Sequence, residues 1–232
     1  MFVSKMQDAL RFNRLGTAGQ QSTGGGQPAV LGRSGAFGWG LSAAFAAGFV
    51  LLALFGTHEP GVSVATRFVA RVAFMFFWLT YTGNALATLF GSTFSGVARR
   101  RREFGLAFAG ALLVHLALVA WLFAVAAKQP IPNIWIVYFV LGALCTYALA
   151  MASLECLRGL WSSRAWRLFS TVALEYIAFL FFRDFVLLPL QSHAGRSIEY
   201  APFAALILLA VPLRWIGAAC RWRGYVAPWA AR

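Results

Sequence analysis

Residues 99–126 read RRRRE followed by FGLAFAGALLVHLALVAWLFAVA, that is, four arginines, one glutamate and a long apolar run. A run of this length crosses the hydrocarbon core of a bilayer as a single helix. Arginines beside a span favour the cytoplasmic side of the membrane, so the stretch also carries an orientation signal. His115 stands near the middle of the run. An ionisable side chain at that depth is costly and is often functional.

The composition extends this interpretation to the whole chain. Of the 232 residues, 60% are hydrophobic and 12% are charged, and the mean hydropathy is +0.71. These values predict an all-α bundle whose main partner is the lipid bilayer, because helices satisfy their own backbone groups in lipid. The net charge of +13 would favour nucleic acid in a water-soluble protein. Here the charge collects at one membrane face, so no nucleic-acid partner is expected.

Apolar segments separated by turn sequences predict six transmembrane helices. The segments are Phe37–Phe55, Ala65–Phe90, Phe104–Ala126, Ile134–Leu154, Trp166–Leu190 and Tyr200–Ala219. Gly, Pro, Asn and Ser mark the breaks between them. The predicted organisation is a flexible cytoplasmic tail over residues 1–35, a transmembrane domain over 36–220, and a short basic cytoplasmic tail over 221–232.

The basic residues predict the orientation of this domain. Fifteen of the 20 Lys and Arg residues lie in the N-terminal tail, the second loop, the fourth loop and the C-terminal segment, to which Arg214 is assigned. The opposite loops hold only Lys128 and Arg196. By the positive-inside rule, both termini are expected in the cytoplasm.

Four polar side chains are predicted to lie within the membrane. Asn84 in the second span would be costly in lipid, so it is expected to face the interior of the bundle. Glu175 in the fifth span could be protonated, hydrogen-bonded or paired with an arginine. Arg183 and Asp184 follow in the same span, and as neighbours on a helix they are expected not to pair with each other.

Three basic side chains are candidates for a ligand site. Arg67 and Arg71 lie one helical turn apart near the outer end of the second span, where they could clamp a haem propionate or a lipid phosphate. The alternative is that they reach to the membrane interface. His115 could ligate a metal or haem iron, or its ring N–H could bond a carbonyl of the next helix.

Three stretches resemble the ferric-reductase-like transmembrane family. Thr82–Leu86, TGNAL, is similar to the Thr, Gly, Ala and Leu motif of its second span. Arg101–Leu106, RREFGL, with His115 after it, resembles the segment that precedes a haem-ligand histidine in the family. Leu149–Ser153 and Trp166–Phe169 are weaker similarities. The likeness covers about residues 65–190 and is greatest to the haem-binding membrane subunits of bacterial periplasmic methionine sulfoxide reductase systems.

The resemblance implies an electron-transfer subunit with haem b in a bacterial inner membrane, serving a redox partner subunit or quinone. It implies His115 as an iron ligand, and the chemistry of Arg67 and Arg71 adds them to this hypothesis as candidate propionate contacts. The family carries two histidines in its fifth span, and the corresponding positions here are Ser170 and Arg183. At most one haem is therefore expected. Weaker candidates for a second iron ligand are His58, His193, Met75 and Met151.

Three classes of function stay open at this point. The first is a haem-containing electron-transfer subunit or a degenerate relative of one. The second is a non-catalytic membrane scaffold or assembly partner without haem, which the missing histidines favour. The third is a transporter, for which Glu175, Arg183 and Asp184 would suit an ion path. No catalytic residue is predicted.

Overall fold

The computed structural model describes residues 31–127, 132–153, 163–191 and 197–223. All regular structure in these ranges is helical, which confirms the all-α prediction. Arg33–Arg232 form one compact unit.

Several sequence predictions concern positions outside the described residues. These are the tail up to residue 30, the end of the basic tail after residue 223, and the side chains of Lys128, His193 and Arg196.

Six long helices and two short ones make up the described part of the chain. In chain order they are α1 Leu31–Phe55, α2 Glu59–Phe90, α3 Ser95–Arg99, α4 Arg101–Val125, α5 Asn133–Ala152, α6 Ser163–Phe182, α7 Leu188–Gln191 and α8 Ser197–Trp222. A 3₁₀ turn, Gly91–Phe94, joins α2 to α3, and a π-helical turn, Arg183–Leu187, joins α6 to α7.

Five helical segments are long and apolar enough to cross a membrane. They are Gly35–Phe55, Glu59–Arg99, Arg101–Val125, Asn133–Ala152 and Glu199–Trp222. The chain is therefore a helical bundle whose apolar helices suit a multi-pass protein in a bilayer. The predicted fifth span, Trp166–Leu190, is helical but is not one of the five.

The central helix is α2, which spans 32 residues. Pro60 lies in its first turn, where a missing backbone N–H costs nothing. Glu59 at the same end interacts favourably with the positive end of the helix dipole. The helix stops before Gly91, whose φ of 71° favours glycine. Helix α2 begins at Glu59, whereas the predicted span begins at Ala65. The first turns of the helix are half-polar, so hydropathy alone does not include them.

Aromatic side chains fill the core around α2, which packs against both α4 and α8. Phe74 meets Phe181, Phe185 and Phe203 edge to face, with ring centroids 4.9 to 6.1 Å apart. Phe77 contacts Phe181 at 5.1 Å. Such arrangements match the positive edge of one ring to the negative face of another. They join α2, α6 and α8 into one core.

Glycines allow α1 to approach α4 closely. A Cβ atom at Gly110 would collide with the backbone of Phe37, and one at Gly40 would collide with that of Ala107. Helices in lipid associate mainly through such close packing, since burying apolar surface brings little gain there. Gly110 in α4 and Gly40 in α1 therefore allow the backbones of these two helices to come into contact.

Large apolar side chains cover the outside of the bundle. They include Phe45, Phe49, Leu54, Val137, Leu144 and Leu208, each more than half exposed. This surface suits acyl chains rather than water. Trp39, Trp215 and Trp222 are also exposed, as expected for residues at membrane interfaces.

Candidate functional site

A polar cluster connects three helices inside the bundle. The hydroxyl of Tyr81 on α2 donates to Oε2 of Glu175 on α6 over 2.7 Å. Nε of Arg214 on α8 lies 2.9 Å from Oε1 of the same carboxylate. The Arg214 guanidinium also lies over the Tyr81 ring, 4.5 Å from its centroid. Both carboxylate oxygens of Glu175 are thus engaged.

This cluster decides among the alternatives for Glu175. The carboxylate is hydrogen-bonded and also paired with an arginine, an arrangement that offsets the cost of removing both charges from water. Arg214 was assigned to the cytoplasmic C-terminal segment, and that assignment is corrected. It lies inside α8, because Glu175 and the Tyr81 ring provide a site for its charge within the bundle.

A cavity of about 690 Å³ opens beside the cluster, between α2, α4, α5 and α6. One end is basic and is lined by Arg99, Arg101 and Arg102. The rest is largely apolar and includes Phe77, Leu106, Phe108, Leu149, Leu174 and Ile177. The described residues that line it include no aspartate or glutamate.

A second cavity of about 340 Å³ lies against the first. Its charged lining consists of four arginines and the single acid Glu175; the arginines are Arg101, Arg167, Arg214 and Arg221. Asn84, Arg101, Ser170 and Leu174 line both cavities, so the two share a wall. We call the two together the basic cavity pair.

Neutral oxygen atoms of α2 hold two of these arginines in place. Nε of Arg101 donates to the Thr80 carbonyl over 2.8 Å. Nη1 of Arg221 donates to the Thr88 hydroxyl over 3.1 Å and to the Asn84 carbonyl over 3.4 Å. Neutral acceptors orient a guanidinium without cancelling its charge. Among the described residues that line the basic cavity pair, arginines therefore outnumber acids.

His115 contacts α2 through its imidazole. Its Nδ1 lies 3.2 Å from the Thr66 carbonyl oxygen. A carbonyl only accepts, so Nδ1 must carry the proton, and in the neutral ring Nε2 then holds the lone pair. The hydrogen-bonding alternative for His115 is therefore realised. His115 is not among the residues that line either cavity.

Arg67 and Arg71 have separate partners in the structure. Arg67 donates to its own helix, at the carbonyl and the hydroxyl of Ser63, over 3.2 and 3.1 Å. Arg71 pairs with Glu199 of α8 at 3.3 Å, and its guanidinium lies over the Tyr200 ring. In the structure each of the two side chains is therefore held by a different partner.

The expectation that Arg183 and Asp184 do not pair is wrong. Nη1 of Arg183 lies 2.9 Å from Oδ1 of Asp184. They open a π-helical turn, whose wider winding reduces the angle between adjacent side chains, and the long arginine stem covers the remaining distance. The Arg183 guanidinium also stacks on Trp135 of α5, 3.4 Å from the ring centroid.

The fifth-span positions at which the resemblance would place haem ligands carry side chains with other partners. At the positions where the family has histidines, Ser170 donates to the Arg167 carbonyl and Arg183 pairs with Asp184. Met75 and Met151 are 42% and 54% exposed on the outer surface. Within the described ranges, no group of three or more His, Cys, Asp or Glu side chains could hold a metal ion.

Sequence reasoning missed Tyr81, Arg214 and the basic cavity pair. One signal was available, because Arg214 is the sole charged residue in the predicted span Tyr200–Ala219. A lone cation in one span and a deeply placed acid, Glu175, in another span are candidates for each other. The contribution of Tyr81 depends on where α2 lies between α6 and α8, which no local pattern indicates.

No protein-family model, no curated protein and no solved structure matches this chain.

Proposed function

We propose that the protein is a six-span membrane scaffold or assembly partner, a degenerate relative of ferric-reductase-like subunits that works without haem. Both termini lie in the cytoplasm, and the membrane is the bacterial inner membrane. The observation that carries the proposal is the position of Arg183. Where the family has an iron ligand, this side chain is committed to Asp184 and to the Trp135 ring.

The sixth crossing rests on how the charges of α6 are neutralised. Glu175 pairs with Arg214, and Arg183 pairs with Asp184. Intramembrane charges are tolerated when they pair with one another and face the bundle. Helix α6 with the turns up to Gln191 therefore serves as the fifth of six spans, despite its lower hydropathy.

A second candidate is an electron-transfer subunit with one haem b, passing electrons to a partner subunit or quinone. The observation that favours it is the tautomer of His115. Donation from Nδ1 to the Thr66 carbonyl leaves Nε2 with a lone pair, as in many metal-ligating histidines. Iron would then need its other axial ligand from elsewhere.

An absorption spectrum of the detergent-purified protein separates the two candidates. For the scaffold we expect no Soret band, either oxidised or after reduction with dithionite. The variant His115→Ala should then lose only about 1 kcal/mol of stability, the value of one interhelical hydrogen bond in a membrane.

His58→Ala is the matched control, since His58 lies in the loop before α2. A Soret band that disappears in His115→Ala and persists in His58→Ala would contradict the scaffold proposal and support the haem-containing subunit.

A further inference from the structure

The basic cavity pair combines a cationic surface with an apolar surface. One end of the larger cavity presents Arg99, Arg101 and Arg102, and the rest is lined mostly by apolar side chains of α2, α4, α5 and α6. The smaller cavity adds Arg221 from the end of α8 and Arg167 from the start of α6. The arrangement has a cationic rim above an apolar floor.

The charge of the rim specifies an anionic ligand. Among the described residues that line the two cavities, Glu175 is the only acid, and Arg214 already pairs with it. Of the other arginines, Arg99, Arg101 and Arg221 have no carboxylate partner among the described lining residues. Guanidinium groups match phosphate in charge and in hydrogen-bond geometry. A neutral ligand such as a quinone would leave this charge uncompensated.

The floor specifies that the ligand also has an apolar part. The floor is lined by Phe77, Leu106 and Ile177, and each of these side chains is at most 7% exposed. A free phosphate ion would use the arginines and leave this lining empty. Basic pockets between transmembrane helices are the sites at which phospholipid headgroups bind.

We propose that the basic cavity pair binds one anionic phospholipid from the leaflet on the arginine side. The rim arginines Arg99, Arg101 and Arg221 hold its phosphate. An acyl chain lies along the apolar floor, past Leu106 and Ile177. The proposal is independent of the scaffold function and of haem, and needs only that the bundle lies in a membrane.

Thermal unfolding of the full chain in detergent tests the proposal, with phospholipid phosphorus co-purifying with the protein as a second readout. Phosphatidylglycerol is expected to raise the unfolding midpoint in a saturable way, and phosphatidylcholine is expected to leave it unchanged. Equal shifts with the two lipids would overturn the proposal, because the arginines would then make no distinction of charge.

Matched arginine variants locate the site. Arg99→Gln and Arg221→Gln change exposed rim residues, and each should weaken phosphatidylglycerol binding about fivefold. Arg100→Gln and Arg223→Gln remove the same charge from exposed neighbours that do not line the cavities, so binding should stay unchanged. Equal losses in both sets would reduce the effect to general surface attraction and overturn the proposal.

Two further arms test the cavity and the nature of the ligand. Ala150→Phe fills the larger cavity from α5 without any change of charge, and should abolish the lipid-induced shift. Unaltered binding in this variant would contradict a lipid in the cavity. Inorganic phosphate is expected to give no shift. If inorganic phosphate shifted the unfolding midpoint as much as phosphatidylglycerol does, the ligand would be a free phosphate ion and the lipid proposal would be overturned.

Discussion

At the scale of single residues, the charged groups inside the bundle stabilise it through mutual contacts. Glu175 accepts a hydrogen bond from Tyr81 and pairs with Arg214, and these three residues come from three helices. Tyr81 is 2% exposed, so water contributes little there. Removing one member of such a group leaves its partners without compensation, which costs more than the pair itself contributes.

Glu175→Gln should therefore destabilise the protein by about 2 kcal/mol, the value of hydrogen bonds to charged groups. The matched control is Glu199→Gln, which breaks the Arg71 ion pair, where the Glu199 side chain is 58% exposed. This change should cost less than about 1 kcal/mol, because water already solvates the pair. Unfolding midpoints in detergent measure both, and equal losses would show that the cluster around Glu175 is not specially stabilising.

At the scale of elements, helix contacts depend on small residues and on one irregular turn. Gly110 allows the backbone of α4 to meet that of α1 at Phe37. The π-helical turn after α6 brings Arg183 to Asp184 and onto Trp135 of α5. Both features are local departures from a uniform apolar helix. They determine which helices become neighbours.

Gly110→Ala should destabilise the bundle by about 1–3 kcal/mol, the range for overpacking a tight contact. The added Cβ collides with backbone atoms, which cannot move aside as a side chain would. The control is Gly38→Ala in α1, where a Cβ meets nothing within 4 Å. Alanine favours a helix over glycine, so the control should keep or raise the unfolding midpoint. A stable Gly110→Ala variant would contradict the close α1–α4 contact.

At the scale of the whole molecule, the number of crossings fixes the side on which the chain ends. Five helices qualify as spans by length and hydropathy. Helix α6 with the π-helical turn after it would add a sixth span. Its acid Glu175 pairs with Arg214, and Arg183 in the turn pairs with Asp184. With the six crossings that we propose, both termini would lie on one face, and the distribution of arginines predicts that this face is cytoplasmic.

Reporter fusions at the two ends of the chain test this topology. A reporter that fluoresces only in the cytoplasm should be bright at either terminus, and alkaline phosphatase, active only outside, should be inactive at both. The control is a phosphatase fusion in the loop between α1 and α2, which should be active. Termini on opposite faces would reduce the number of crossings to five or another odd number.

The apolar runs and the arginines by themselves determined an all-α membrane bundle and its expected orientation. They suffice because hydropathy and charge act on each segment separately, whatever its neighbours are. The tertiary structure alone decided that Glu175 meets Arg214 and Tyr81, that Arg183 turns onto Asp184, and that His115 bonds Thr66. It also placed the arginines around shared cavities. Those outcomes depend on contacts between helices distant in sequence, which the pattern of any one helix does not contain.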